Sequence, residues 1–142
     1  MLFALRLFAY RLVKPFQWPT SRVVPIPRPT TFVGPGAALK MCDSIAQFDF
    51  KRVLIVTDAI LVKLGLVEPL RKALADRGVE VAVHDGITPD PTHDVLQRGF
   101  EAAEAHRTDA ILAVGGGSVI DAAKVIGAMV VSGKSPAQLV GM

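Results

Sequence analysis

From about residue 30 onward, short unbroken apolar runs alternate with stretches whose apolar residues recur at helical spacing. Thr31-Phe32-Val33 predicts a short strand ended by Gly34-Pro35-Gly36, and Ala37 to Phe48 predicts a helix. Val53-Leu54-Ile55-Val56 is apolar throughout and β-branched at every position but Leu54, the pattern of a strand buried on both faces. Leu61, Leu64, Leu70 and Leu74 then keep helical spacing, and Gly78 stands where that helix would take a C-terminal cap. Val79 to Val83 predicts the next strand. Pro89-Asp90-Pro91 reads as a turn, after which Thr92 caps a helix running to about His106. Ala110 to Val114 is another buried strand, Gly115-Gly116-Gly117 a tight turn, and Ser118 to Val131 a last helix. Strands alternating with helices imply an α/β fold: an open parallel sheet with helices on both faces, Rossmann-like. The pattern shows no internal repeat.

The first 29 residues follow a different rule. Residues 1–14, MLFALRLFAYRLVK, are apolar with Arg6 and Arg11 set inside the run. A secretory signal places its charge before the run, so a short amphipathic helix is the expectation. Such a helix suits a membrane surface, a neighbouring subunit or its own domain equally. Pro15, Pro19, Pro25, Pro27 and Pro29 follow, at a density that forbids a helix and favours an extended linker. The expected organisation is therefore a basic, proline-rich extension over 1–29 and a folded domain over 30–142.

Charge and composition narrow the function. The net charge is +3, yet six basic residues and no acidic one precede Asp43, so the predicted domain is itself net acidic. A nucleic-acid-binding domain concentrates positive charge on its folded part, so nucleic acid is not an expected partner. With 142 residues, there is chain enough for one domain and its core. The apolar runs are too short to cross a bilayer. A single cysteine, Cys42, precludes an internal disulfide and fits a reducing compartment, giving a cytoplasmic expectation.

The segment Ala110 to Lys124 carries the clearest chemistry. It is a strand, a glycine turn and a helix start. Glycines leave no β-carbons in the turn, so the backbone can approach a ligand closely. The following helix offers unpaired N–H groups and the positive end of its dipole, which together suit a phosphate. A structural reading competes: Ser118 as N-cap with Asp121 capping back, as in a capping box. That reading accounts for the helix start but not for three consecutive glycines. The pattern is not the common G-x-G-x-x-G fingerprint with an acid some twenty residues later. The other strand-end acid, Asp58, follows Val53 to Val56 instead. It suits either a ribose hydroxyl or the N-cap of a helix starting at Ala59, and spacing alone leaves both open.

Val56-Thr57-Asp58 and Gly115-Gly116-Gly117-Ser118-Val119-Ile120-Asp121-Ala122-Ala123-Lys124 together resemble the iron-containing alcohol dehydrogenase family. Gly34-Pro35-Gly36-Ala37 and Asp85-Gly86 followed by Pro89-Asp90-Pro91-Thr92 resemble it too, so the likeness runs from about Pro29 to the end. It implies the dehydroquinate synthase-like N-terminal domain of that family and a nicotinamide cofactor. Gly116, Gly117 and Ser118 would hold the pyrophosphate, with Asp121 in the same contact segment and Asp58 at the adenosine ribose. An acid there repels a 2′-phosphate, which favours NAD over NADP. Asp90 occupies a place where relatives often carry asparagine. The resemblance also implies an alcohol or aldehyde substrate, a homo-oligomer when full length, and a further helical domain with Fe2+ or Zn2+ ligands. Those ligands are not in this sequence, and His84, His93 and His106 lack metal-ligand spacing. The expectation is thus a cofactor-binding fragment, without catalytic or metal residues of its own, of an enzyme moving hydride between an alcohol and nicotinamide. Glycerol dehydrogenase and dehydroquinate synthase relatives, or a stand-alone nucleotide-binding or interaction module, are the alternatives.

Overall fold

The computed structural model describes residues 30–139. The expected amphipathic helix of 1–14 and the proline-rich stretch of 15–29 lie outside the described residues. The compact unit that begins at Phe32 contains, in order, α1 (Ala37–Gln47), β1 (Arg52–Val56), α2 (Ala59–Lys63), α3 (Glu68–Ala75) and β2 (Glu80–His84). These are followed by α4 (His93–Ala105), β3 (Ala110–Ala113), α5 (Gly117–Ser132) and α6 (Pro136–Leu139).

All three strands are parallel, in the order β2-β1-β3. β1 therefore sits in the middle, and its side chains alternate between two cores. Leu54 and Val56 pack with Val95 and Leu96 of α4 and Val119, Ile126 and Met129 of α5. Val53 and Ile55 pack on the other face with Cys42 of α1 and Leu70 and Leu74 of α3. Val53, Leu54, Ile55 and Val56 of β1 are fully buried, as an unbroken apolar run requires. The expected α/β class, parallel sheet and helices on both faces are thus present. At Gly99 of α4, an added Cβ would lie 2.4 Å from Ile126 Cδ1, so glycine is what lets α4 lie against α5.

Several local expectations are corrected. Residues 31–33 form no strand, and Val33 is 90% exposed. A strand exists through its neighbour's hydrogen bonds, and no described residue pairs with this segment. The helix expected through Leu61 to Leu74 is two helices, α2 and α3. Gly65, with φ +71°, breaks it, and Leu64 and Leu66 are exposed. Gly78 does end α3: its N–H bonds the Ala75 carbonyl, the Val79 N–H reaches Leu74, and φ is +79°. α6 follows Gly133, where the pattern predicted nothing further. Among the described residues no helix is long and apolar enough to cross a membrane.

Candidate functional site

The carboxyl ends of β1 and β3 open onto one cleft of about 390 Å³, within the usual range for small-molecule sites. Asp58 lines it from β1, and Gly116, Gly117 and Ser118 line it from the turn after β3. The sequence-predicted residues Asp58, Gly116, Gly117 and Ser118 are therefore neighbours, although the chain separates them widely. Ile60, Ile87, Thr88 and Pro89 complete the walls. Pro89 entered the sequence reading only as part of the Pro89-Asp90-Pro91 turn, and the other three were not singled out. Their signal was position: each lies just beyond the end of β1 or β2.

The remaining two predicted residues are not among those lining the cleft. Asp90 is exposed, one residue beyond Pro89, with φ +49°. Asp and Asn are the non-glycine residues that adopt this left-handed conformation most readily, which gives the turn its own reason for an acid or amide there. Asp121 is exposed on α5 and pairs with Lys124 at 3.0 Å.

The glycine turn divides into two functions. Gly115 has φ +157°, and a Cβ there would stand 2.7 Å from Val119 Cγ2. Its glycine is required by the protein's own packing. At Gly116 and Gly117 an added Cβ would meet nothing within 4 Å, so the fold leaves that space open. Gly116 is the N-cap of α5, without a side-chain cap, and α5 starts at Gly117. This corrects the expected Ser118 N-cap and its capping box with Asp121: the chain turns two residues earlier than a side-chain cap by Ser118 would require. The first helical bond runs from the Ile120 N–H to the Gly116 carbonyl at 3.1 Å. The amides of Gly117, Ser118 and Val119 precede it, at the positive end of the helix.

At the other wall Asp58 is the N-cap of α2. Its Oδ1 accepts from the N–H groups of Ile60 at 2.9 Å and Leu61 at 3.0 Å. The capping role left open by the sequence is therefore realised, and both bonds fall on one carboxylate oxygen. An isolated bridge joins Asp58 to Gly86, tying this wall to the loop after β2. Below that loop lies His84, whose Nε2 is buried without a hydrogen-bond partner. Burial lowers its pKa from the ordinary value; Asp85 opposes the shift and Arg98 adds to it.

Thr57, fully buried between the two walls, escaped the sequence reading as a functional residue. Its hydroxyl donates to the Val114 carbonyl at 2.8 Å, immediately before the glycine turn. Among the described residues no group of three or more His, Cys, Asp or Glu side chains can hold a metal ion.

Comparison with known proteins agrees with this geometry. The family profile described as iron-containing alcohol dehydrogenase matches residues 28–141. The NAD-dependent methanol dehydrogenase of Bacillus methanolicus is 34% identical over 105 residues, covering 74% of this chain and 28% of that protein. The lactaldehyde reductase of Escherichia coli K12 is 34% identical over 98 residues, covering 69% and 26% respectively. The solved alcohol dehydrogenase from Oenococcus oeni superposes with a TM-score of 0.72 at 31% identity, over 78% of this chain and 29% of its own. The chain thus spans between a quarter and a third of the length of these relatives. A glycine turn over a strand-end cleft, a buried parallel strand leading to Asp58, and a profile match over most of the sequence converge: this chain belongs to the iron-containing alcohol dehydrogenase family.

Proposed function

We propose that this domain binds NAD in the cleft between Asp58 and the glycine turn, as the cofactor-binding part of a metal-dependent alcohol dehydrogenase. The observation that carries the reading is the open space at Gly116 and Gly117. The protein's own packing does not need these two glycines, whereas a pyrophosphate seated on the first amides of α5 does. Gly116, Gly117 and Ser118 hold the pyrophosphate through backbone N–H groups. The Asp58 carboxylate, using the oxygen not engaged in the cap, accepts from the adenosine ribose. Its charge disfavours a 2′-phosphate, so NAD is preferred to NADP. Ile60, Ile87 and Pro89 give the cleft apolar walls that exclude water from the bound cofactor.

NAD supplies the hydride acceptor, and the chemistry of transfer is the cofactor's. The substrate is an alcohol, or an aldehyde in the reverse direction, in keeping with the names of the relatives. The described residues offer no metal site, so Fe2+ or Zn2+ would be held by residues outside them. Asp90 and Asp121 act on the cofactor at most from the margin of the cleft. The test is titration of the 142-residue chain with NAD, with Gly117→Val as control. Saturable binding that the variant loses supports the reading. Absence of binding by the unaltered chain, or equal binding by both, removes it.

A further inference from the structure

The two walls of the cleft belong to different strands, and the hydrogen bonds between β1 and β3 stop before reaching them. The last bond between β1 and β3 runs from the Val114 N–H to the Val56 carbonyl at 2.9 Å. The next residue of β1, Thr57, turns both of its backbone groups the other way. Its N–H donates to the His84 carbonyl at 2.9 Å, and its carbonyl accepts from the Ile87 N–H at 3.3 Å. Parallel ladders impose this, because the N–H and C=O of one residue point to the same neighbour. Asp58 then leaves the sheet to cap α2. Thr57 therefore has no backbone group left for the β3 side, and its hydroxyl supplies the missing link to the Val114 carbonyl at 2.8 Å. One side chain closes the gap between the residue preceding Asp58 and the residue preceding Gly115.

We propose that Thr57 is a positioning residue that fixes the glycine turn relative to Asp58, so that a nucleotide meets both walls at once. This rests on the nucleotide reading of the cleft. The hydroxyl touches no ligand; it acts through Val114. Valine at this position keeps the β-branched shape and the fully buried fit but leaves the carbonyl without its donor. Serine keeps the donor and drops a methyl. A role in packing alone would make serine the worse substitution, whereas the positioning role makes valine the worse one.

The experiment compares the unaltered 142-residue chain, Thr57→Val and Thr57→Ser by amide hydrogen exchange and by NAD titration. In Thr57→Val, amides of residues 114–119 are expected to exchange at least about threefold faster, while those of α1 keep their rates. NAD affinity should fall about fivefold, and Thr57→Ser should restore both. Unchanged exchange at 114–119 in Thr57→Val overturns the proposal. So does a serine variant as impaired as the valine one. If the unaltered chain does not bind NAD, the nucleotide reading fails, and the exchange data still decide whether Thr57 holds the turn.

Discussion

The two strand ends that line the cleft begin their helices in opposite ways. After β1, Asp58 folds its side chain back onto the amides of Ile60 and Leu61, so the start of α2 is satisfied from within. After β3, Gly116 offers α5 no side-chain cap. Missing side-chain caps are not special here, since α1, α3 and α4 also begin without one. Open space over an N-cap glycine is not special either, since Gly36 of α1 has it; what sets α5 apart is that Gly116 and Gly117 line the cleft that Asp58 also lines. One wall presents a carboxylate and the other bare amides. A ligand carrying both hydroxyls and a phosphate is complementary to the pair.

Substitutions can break this comparison. The largest effect is expected at Gly115→Ala, where overpacking against Val119 adds to an unfavourable backbone conformation. Stability should fall by about 3 kcal/mol, read as a lower urea midpoint. A midpoint that does not move would mean that the turn is not closed as described. Next comes Gly117→Val, for which NAD affinity should fall about tenfold or more by calorimetric titration. Its unfolding free energy, from urea titration, should stay within about 0.5 kcal/mol of the unaltered chain's. The contrast between these neighbouring glycines tests whether one serves the fold and the other the ligand.

Asp58 allows a finer cut. Asp58→Ala should lose about 1 kcal/mol of stability with its cap, measured by thermal or urea unfolding. Asp58→Asn keeps a capping side chain but not the charge. It should unfold like the unaltered chain while the ratio of NAD to NADP affinity drops about fivefold. If the ratio is unchanged, the carboxylate serves α2 alone.

The smallest effect is a pH dependence from His84. Burial lowers its folded-state pKa below the ordinary 6.5 of the unfolded chain. The unfolded state therefore takes up the proton first as pH falls, and stability is lost from about 6.5 down toward the depressed folded value. Above that window the contribution is fully present. Urea unfolding followed between neutral and mildly acidic pH should show this slope, reduced in His84→Phe. Equal slopes in both chains would assign the dependence to other groups.

The sheet was legible because its centre is buried on both faces. Val53 to Val56 had to be apolar throughout, and such a run is visible without a structure; Ala110 to Val114, expected to be buried, is equally apolar but only half-buried, at the edge of the described sheet. Asp58 and the glycines were legible for a related reason, since ligands of open parallel sheets gather beyond the strands' carboxyl ends. Non-local features were hidden. Nothing in Thr31-Phe32-Val33 reveals that no described strand pairs with it. Helical spacing through Leu64 looked continuous because one glycine in a polar-apolar pattern does not announce a positive φ. Ser118 is a good N-cap residue by type, yet the backbone turned at Gly116. Thr57 reads in the sequence as one more β-branched residue. Only the direction of its backbone groups shows why its hydroxyl is needed.

The order of the strands also sets a sequence of events. β1 pairs with β2 across a single short crossover, whereas Thr57 and Val114 are 57 residues apart along the chain. Closing a longer loop carries a larger entropic penalty, growing slowly with length, and distant pairings slow folding. β1 and β2 are thus favoured to zip together early, while β3 arrives last with the glycine turn attached. A nucleotide seated as proposed, touching both Asp58 and the glycine turn, would add its binding energy to the contact that closes the longest loop of the sheet.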